Sequence, residues 1–181
     1  MGKRNLLTAA GVLSLLLTIP FGAAPAATAA SAKEASGPHC AVEVHPTATP
    51  EPSGAPVCFD TEVEVAGYLA SIGVAKTSAR GAAAASTVVG TVYQDTNGSG
   101  ASLTFWGASG CSGVTFGFPS LASGWNNSIS SVRASNGCWV TAYTATSYGG
   151  SRLNCTPYCA SIGTWNDNVK SLVFRPNGTF G

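Results

Sequence analysis

Six cysteines, Cys40, Cys58, Cys111, Cys138, Cys155 and Cys159, are the residues of this 181-residue chain best equipped for chemistry. Disulfide bonding and zinc ligation compete for such a set. A tetrahedral zinc site needs clustered thiolate or imidazole ligands. No CxxC pair occurs, and both histidines, His39 and His45, stand far from Cys155 and Cys159. Disulfides are therefore the expectation. Many pairings of six cysteines are open; locality along the chain favours Cys40 with Cys58, Cys111 with Cys138, and Cys155 with Cys159. The remaining inventory points away from catalysis. From Thr87 onward there is no histidine, and the acidic residues are Asp95 and Asp167. A glycosidase needs two carboxylates across a cleft, but Asp95 lies beside a turn and no aromatic cleft is evident between the two. Serines abound without a general base nearby. The chain is read as a non-enzyme that requires no cofactor, a view that changes only if His39 or His45 reaches a pocket.

The elements that position these residues are repeated. Trp125-Asn126-Asn127-Ser128-Ile129-Ser130-Ser131 recurs forty positions later as Trp165-Asn166-Asp167-Asn168-Val169-Lys170-Ser171. Tyr143, Gly150 and Leu153 follow Tyr93, Gly100 and Leu103 by fifty. The difference of ten places an insertion in unit one, at or near "GCSGVTFGFPS". A unit of this length is one supersecondary element that cannot bury its own apolar face, so the two units pack together. Each unit opens with a hairpin, the first around Asn97-Gly98, a dipeptide suited to positive φ. Tyr93 and Tyr143 are placed to fold across the hairpins, with Leu103, Leu153, Trp125 and Trp165 facing the core. The Asn and Ser residues of the repeated motif can satisfy loop backbone groups, as in Asx turns.

Ahead of the repeats, Lys3 and Arg4 precede an apolar run from Leu6 to Ile19, followed by small-residue sites at Ala24-Pro25-Ala26 and Ala30-Ser31-Ala32. The run falls short of the roughly 20 residues that span a bilayer, so 1–32 reads as a secretory signal peptide and the mature protein as secreted and extracellular, off the membrane. Residues 33–73 read as a small disulfide-linked strand-helix segment, either docked on the repeats or a pro-region. In "CAVEVH", Cys40, Val42 and Val44 alternate with Glu43 and His45. Thr61 and Glu64 form a capping box, Val65, Ala66, Leu69 and Ile72 an apolar stripe, and Gly73 a left-handed cap. Residues 74–86 read as a linker with a cleavage point at Arg80, and 87–181 as the main domain. Only 9% of residues are charged and the net charge is +1, which leaves no basic surface for nucleic acid. A monomer is expected.

Tyr143-x4-Tyr148-x-Gly150 and Asn126-Asn127-x-x-Ser130-Ser131 resemble the two signatures of the βγ-crystallin fold. The resemblance covers roughly 87–176 and implies a mainly β sandwich of two Greek-key repeats in two four-stranded antiparallel sheets, preceded here by the strand-helix segment. Unit one departs from it with Gly98 where unit two has Tyr148, which weakens the aromatic clasp of the first hairpin. In microbial members the Asn/Asp-Ser stretch helps bind calcium. By that resemblance Asn126, Asn127, Ser130, Asn166 and Asp167 are metal-ligand candidates, of low charge, with Lys170 replacing a hydroxyl.

"SYGGSRLNCTPYC" is similar to the βγ-crystallin-type metalloproteinase inhibitors of streptomycetes. That resemblance implies an inhibitory loop of Cys155, Thr156, Pro157, Tyr158 and Cys159, with the reactive bond at Cys155-Thr156 and an extracellular protease as partner. A loop pre-ordered by a disulfide and a proline loses little entropy on binding. The competing expectations are a calcium-binding structural or stress protein, in which Cys155 and Cys159 are only a staple, and a toxin or cell-surface ligand of the same fold.

Overall fold

The computed structural model describes residues 38–48, 54–76, 86–122 and 124–181. The expected signal peptide lies outside the described residues, as do 77–85 of the expected linker, with Arg80. The N-terminal part forms β1 (His39–Glu43), β2 (His45–Pro46), β3 (Val57–Phe59) and α1 (Glu62–Ser71). Unit one supplies β4 (Thr87–Tyr93), β5 (Ser102–Gly107), β6 (Phe116–Phe118) and β7 (Ser131–Ala134). Unit two supplies β8 (Cys138–Tyr143), β9 (Arg152–Cys155), β10 (Tyr158–Cys159) and β11 (Ser171–Pro176). Among the described residues no helix is long and apolar enough to cross a membrane.

Each unit gives its third strand to the other. The sheet built on unit one runs β10-β7-β4-β5, and that built on unit two runs β6-β11-β8-β9, with every neighbouring pair antiparallel. Two Greek keys interlocked in this way form the βγ-crystallin-like sandwich. Phe105, Phe116 and Phe174 are fully buried in one core, which Leu103, Ile129, Val140, Val169 and Leu172 also line.

The sheets are wider than four strands each. β1 adds in parallel to β5, with Cys40 opposite Leu103, and β3 closes that edge antiparallel to β1; β2 adds to β6. The sheets thus have six and five strands. β1 can take an interior place because it is buried on both faces. Cys40, Val42 and Val44 join the sandwich core, while Ala41 packs with Val65, Leu69 and Val74 under α1. The added strand also explains an asymmetry between the repeats. Leu103, on β5, is flanked by β1 in the sheet and fully buried, whereas Leu153, on the edge strand β9, is half-buried. Trp125 is buried, and Trp165 only partly so.

α1 begins with the capping box: the Glu64 amide donates to Thr61 Oγ1 at 3.2 Å, and the Thr61 amide donates to Glu64 Oε2 at 3.0 Å. It ends with Gly73 at φ +80, whose amide donates to Ala70 O while that of Val74 donates to Leu69 O. These are the paired bonds of a Schellman ending, and they turn the chain inward at Val74. Val74, not Ile72, therefore completes the apolar stripe; Ile72 is exposed.

The repeated serines hold the hairpins. Ser131 Oγ donates to Asp95 O at 2.6 Å and accepts from the Gly98 amide at 3.0 Å. Ser171 Oγ does the same in unit two, donating to Ala145 O at 2.7 Å and accepting from the Tyr148 amide at 3.1 Å. Both serines are fully buried and face backbone groups that no sheet ladder satisfies. The hairpin tips share one backbone shape, with positive φ at Asn97 and Gly98 and again at Ser147 and Tyr148. Ser131→Ala and Ser171→Ala should each cost about 1–3 kcal/mol of stability, since each strands a buried donor and acceptor. Thermal unfolding checks this; an unchanged melting temperature in both variants would remove the clamp.

Candidate functional site

Strand exchange forces the chain of unit two to cross from one sheet to the other, and only Thr156 and Pro157 make the crossing. Cys155 ends β9, paired with Val140 in the five-stranded sheet; Tyr158 and Cys159 form β10, paired with Arg133 and Val132 in the six-stranded sheet. The Cys155–Cys159 disulfide closes the crossing, with the two Cα atoms 5.4 Å apart. The Ala134 amide adds a bond to Pro157 O at 2.7 Å. Cys155 is fully buried, yet the side chains of Thr156, Pro157 and Tyr158 are exposed. The five residues thus form a short, anchored loop with an exposed tip, a shape that meets a partner with little left to order. The other two disulfides join Cys40 to its strand partner Cys58 and Cys111 to Cys138. Cys111 lies in the corresponding connection of unit one, which spans 108–115 and carries most of the inserted length.

One side of the loop is formed by a basic residue. Arg133 is the cross-strand partner of Tyr158, and its guanidinium carbon lies 4.4 Å from the Tyr158 ring centroid. Burial raises the Tyr93 hydroxyl above its ordinary 10.0, Glu62 adds to the rise, and Arg133 opposes it. In unit two burial also raises Tyr148, with Tyr143 adding to the effect. The rings of Tyr143 and Tyr148 pack edge to face at 6.0 Å.

The residues proposed for calcium sit where the two repeated motifs meet. The Asn127 amide donates to Val169 O, and the Asp167 amide donates to Ile129 O, so the turns bind each other reciprocally. Both Asn127 and Asp167 have positive φ. Asn126 and Asn127 are exposed and Ser130 is buried; Asn166 Nδ2 donates to Asp167 Oδ2 at 2.9 Å. The donor set is all oxygen, as calcium prefers, but Asp167 is the one carboxylate of the two motifs and is already engaged. Among the described residues no three His, Cys, Asp or Glu side chains gather into a metal cluster.

Both histidines have structural surroundings that the sequence did not reveal. His39 Nδ1 shares a 2.9 Å hydrogen bond with Ser102 Oγ and lies 3.9 Å from Glu62 Oε1. Serine and carboxylate thus meet the same ring nitrogen, where a proton relay needs opposite ones. Ser102 is also buried, so the group ties β1 to β5 and α1. His45 does line a cavity of about 230 Å³, with Pro46, Thr47, Gly117, Pro119, Ser147 and Tyr148. Among the described residues that lining contains no carboxylate and no thiol.

Two interlocked Greek keys with a disulfide-closed crossing define a βγ-crystallin-type domain. The model of peptidase inhibitor family I36 matches residues 92–156, and over this segment the chain is similar to that family. The match runs from the end of β4 to the first two loop residues, Cys155 and Thr156. No curated protein matches the chain. Among solved structures, the chain is similar to a βγ-crystallin domain from Flavobacterium johnsoniae, at 28% identity over 51% of this chain and 99% of that one, with a TM-score of 0.36. A βγ-crystallin from an archaeon shares 25% identity over 49% and 96%, at 0.36. One from Ciona intestinalis shares 18% over 49% and 98%, at 0.38. The fold assignment rests on the strand order itself.

The raised tyrosines fix the sign of an alkaline effect. Below pH 10 both are protonated whether the chain is folded or unfolded; above it the unfolded chain ionises first, so stability falls as pH rises. The melting temperature should decline above pH 10, and Tyr93→Phe with Tyr148→Phe should flatten that decline. An identical decline in the double variant would place its cause elsewhere.

Proposed function

We propose that the protein is a secreted inhibitor of extracellular peptidases, metallopeptidases in the first instance, that acts through Cys155, Thr156, Pro157, Tyr158 and Cys159. The observation that carries this reading is the crossing itself: a disulfide-closed loop, anchored in both sheets, whose three inner side chains face solvent. The match to peptidase inhibitor family I36 supports the same class of partner. With Cys155-Thr156 as the reactive bond, the cysteine side is held in β9 and the threonine side emerges from the surface. A peptidase that cuts this bond leaves ends still joined through the disulfide and the flanking strands, so the cut loop stays in place and re-forms readily. Thr156 is smaller and more polar than the apolar residue that thermolysin-like enzymes favour at that position. No peptide-bond chemistry is assigned to the protein's own side chains.

The test is the residual activity of a thermolysin-type metallopeptidase, with serine peptidases as controls, titrated with the oxidised protein and with its Cys155→Ser/Cys159→Ser variant. Stoichiometric inhibition by the native protein, and at least tenfold weaker inhibition by the variant, is expected. Equal inhibition by both would show that the closed loop is not the inhibitory element.

The reciprocal bonds between the Asn127 and Asp167 turns favour a second reading, a calcium-binding structural role. Asn126, Asn127, Ser130, Asn166 and Asp167 would hold the ion, whose charge would strengthen the junction between the two units. Saturating calcium should then raise the melting temperature while magnesium does not, because an ion bound only by the folded chain stabilises it. A melting temperature indifferent to calcium removes this role.

A further inference from the structure

The two repeats act as each other's control, and they part company at the loop. Ser131 aligns with Ser171, so Arg133 in β7 corresponds to Val173 in β11, which is buried and uncharged. Arg133 pairs with Tyr158 in β10, and Val173 pairs with Gly117 in β6, so Tyr158 corresponds to Gly117. At the hairpin tips the difference is reversed: Gly98 in unit one corresponds to Tyr148 in unit two. In unit two the hairpin tyrosine occupies the space above the exchanged strand, and a Cβ at Gly117 would overlap the Tyr148 hydroxyl. In unit one the glycine is on the hairpin and the tyrosine on the exchanged strand. The ring has changed places, and it now stands on the loop.

The vacated hairpin position is used. A Cβ at Gly98 would lie 3.7 Å from the Tyr93 ring and 3.8 Å from Arg133 Nη2, so the guanidinium that stacks on the Tyr158 ring also lies beside Gly98. Gly98 therefore does not simply weaken the first hairpin's clasp; it admits Arg133 beside it. Tyr158 is the largest side chain of the loop tip and remains 38% exposed. A tyrosine held against a guanidinium but open on its other side loses little freedom when a partner covers it, and tyrosine and arginine are the residues that most often dominate binding.

We propose that Tyr158 is the specificity-determining side chain of the loop, that it fills an apolar subsite of the peptidase two residues beyond Thr156, and that Arg133 is the positioning residue that orients its ring. This rests on the inhibitor reading above. The native protein, Tyr158→Ala, Tyr158→Phe, Arg133→Ala and Arg133→Lys are titrated against the peptidase that the native protein inhibits. Tyr158→Ala should weaken inhibition at least tenfold, and Tyr158→Phe should retain it, because the ring and not the hydroxyl is read. Arg133→Ala should weaken inhibition several-fold, and its effect should vanish in the Tyr158→Ala background, with partial rescue by Arg133→Lys. The Tyr158 ring signals in the NMR spectrum of the free protein should shift and broaden in Arg133→Ala, an outcome that needs no peptidase. Native-level inhibition by Tyr158→Ala would overturn the specificity role while leaving the inhibitor reading intact. Failure of the native protein to inhibit any peptidase would remove both. Unchanged Tyr158 signals in Arg133→Ala would overturn the positioning role.

Discussion

The exchange of third strands between the sheets is the constraint on which the rest of this structure depends. Because β6 and β10 each leave their own unit, neither repeat can close its core alone, and the connections ahead of them must cross the sandwich. Unit one crosses with the long connection 108–115, tied to the start of β8 by Cys111–Cys138. Unit two crosses with Thr156 and Pro157 between a fully buried cysteine and a strand of the opposite sheet. The crossing of unit two is short because only Thr156 and Pro157 separate β9 from β10, and Cys155–Cys159 closes it. The anchoring of the proposed inhibitory loop is a consequence of how the core is built.

The same constraint explains the division of labour among the repeated residues. Ser131 and Ser171 hold the hairpin backbones, and the backbone amides of Asn127 and Asp167, the third residue of each repeated motif, join the two turns. The bonds are alike in both units, and the serine is kept because its side chain makes them, whereas Asn127 and Asp167 differ because their backbone amides do. Gly98, Arg133 and Tyr158 are free to differ from Tyr148, Val173 and Gly117, and all three differences come together at one end of the molecule. Pseudo-symmetry thus separates what holds the domain together from what shapes the exposed loop.

Much of this was legible in the sequence because it is local or repeated. The capping box of Thr61 and Glu64, the positive φ at Asn97-Gly98 and Gly73, and the pairing of neighbouring cysteines all follow from short-range chemistry. The repeat showed that two units pack together, and the resemblance of its motifs to the βγ-crystallin signatures implied that each is a Greek key. Register between distant strands left no such trace. "CAVEVH" reads as a strand with one apolar face, since nothing in it says that α1 will cover Ala41 and make β1 an interior strand. Ile72 fits the helical stripe by spacing, but the Schellman ending hands its place to Val74. The meeting of Arg133 with Tyr158 and of His39 with Ser102 depends on which strands lie side by side, and sequence spacing cannot supply that.

The central claim is that a peptidase engages this protein at the bond between Cys155 and Thr156. Its most direct test is prolonged incubation of the oxidised protein with a catalytic amount of a metallopeptidase, followed by reduction and mass spectrometry of the fragments. A single slow cut that generates a new N-terminus at Thr156, with both fragments held together until reduction, is the predicted result. A loop left intact while cuts accumulate elsewhere in the domain would contradict the account.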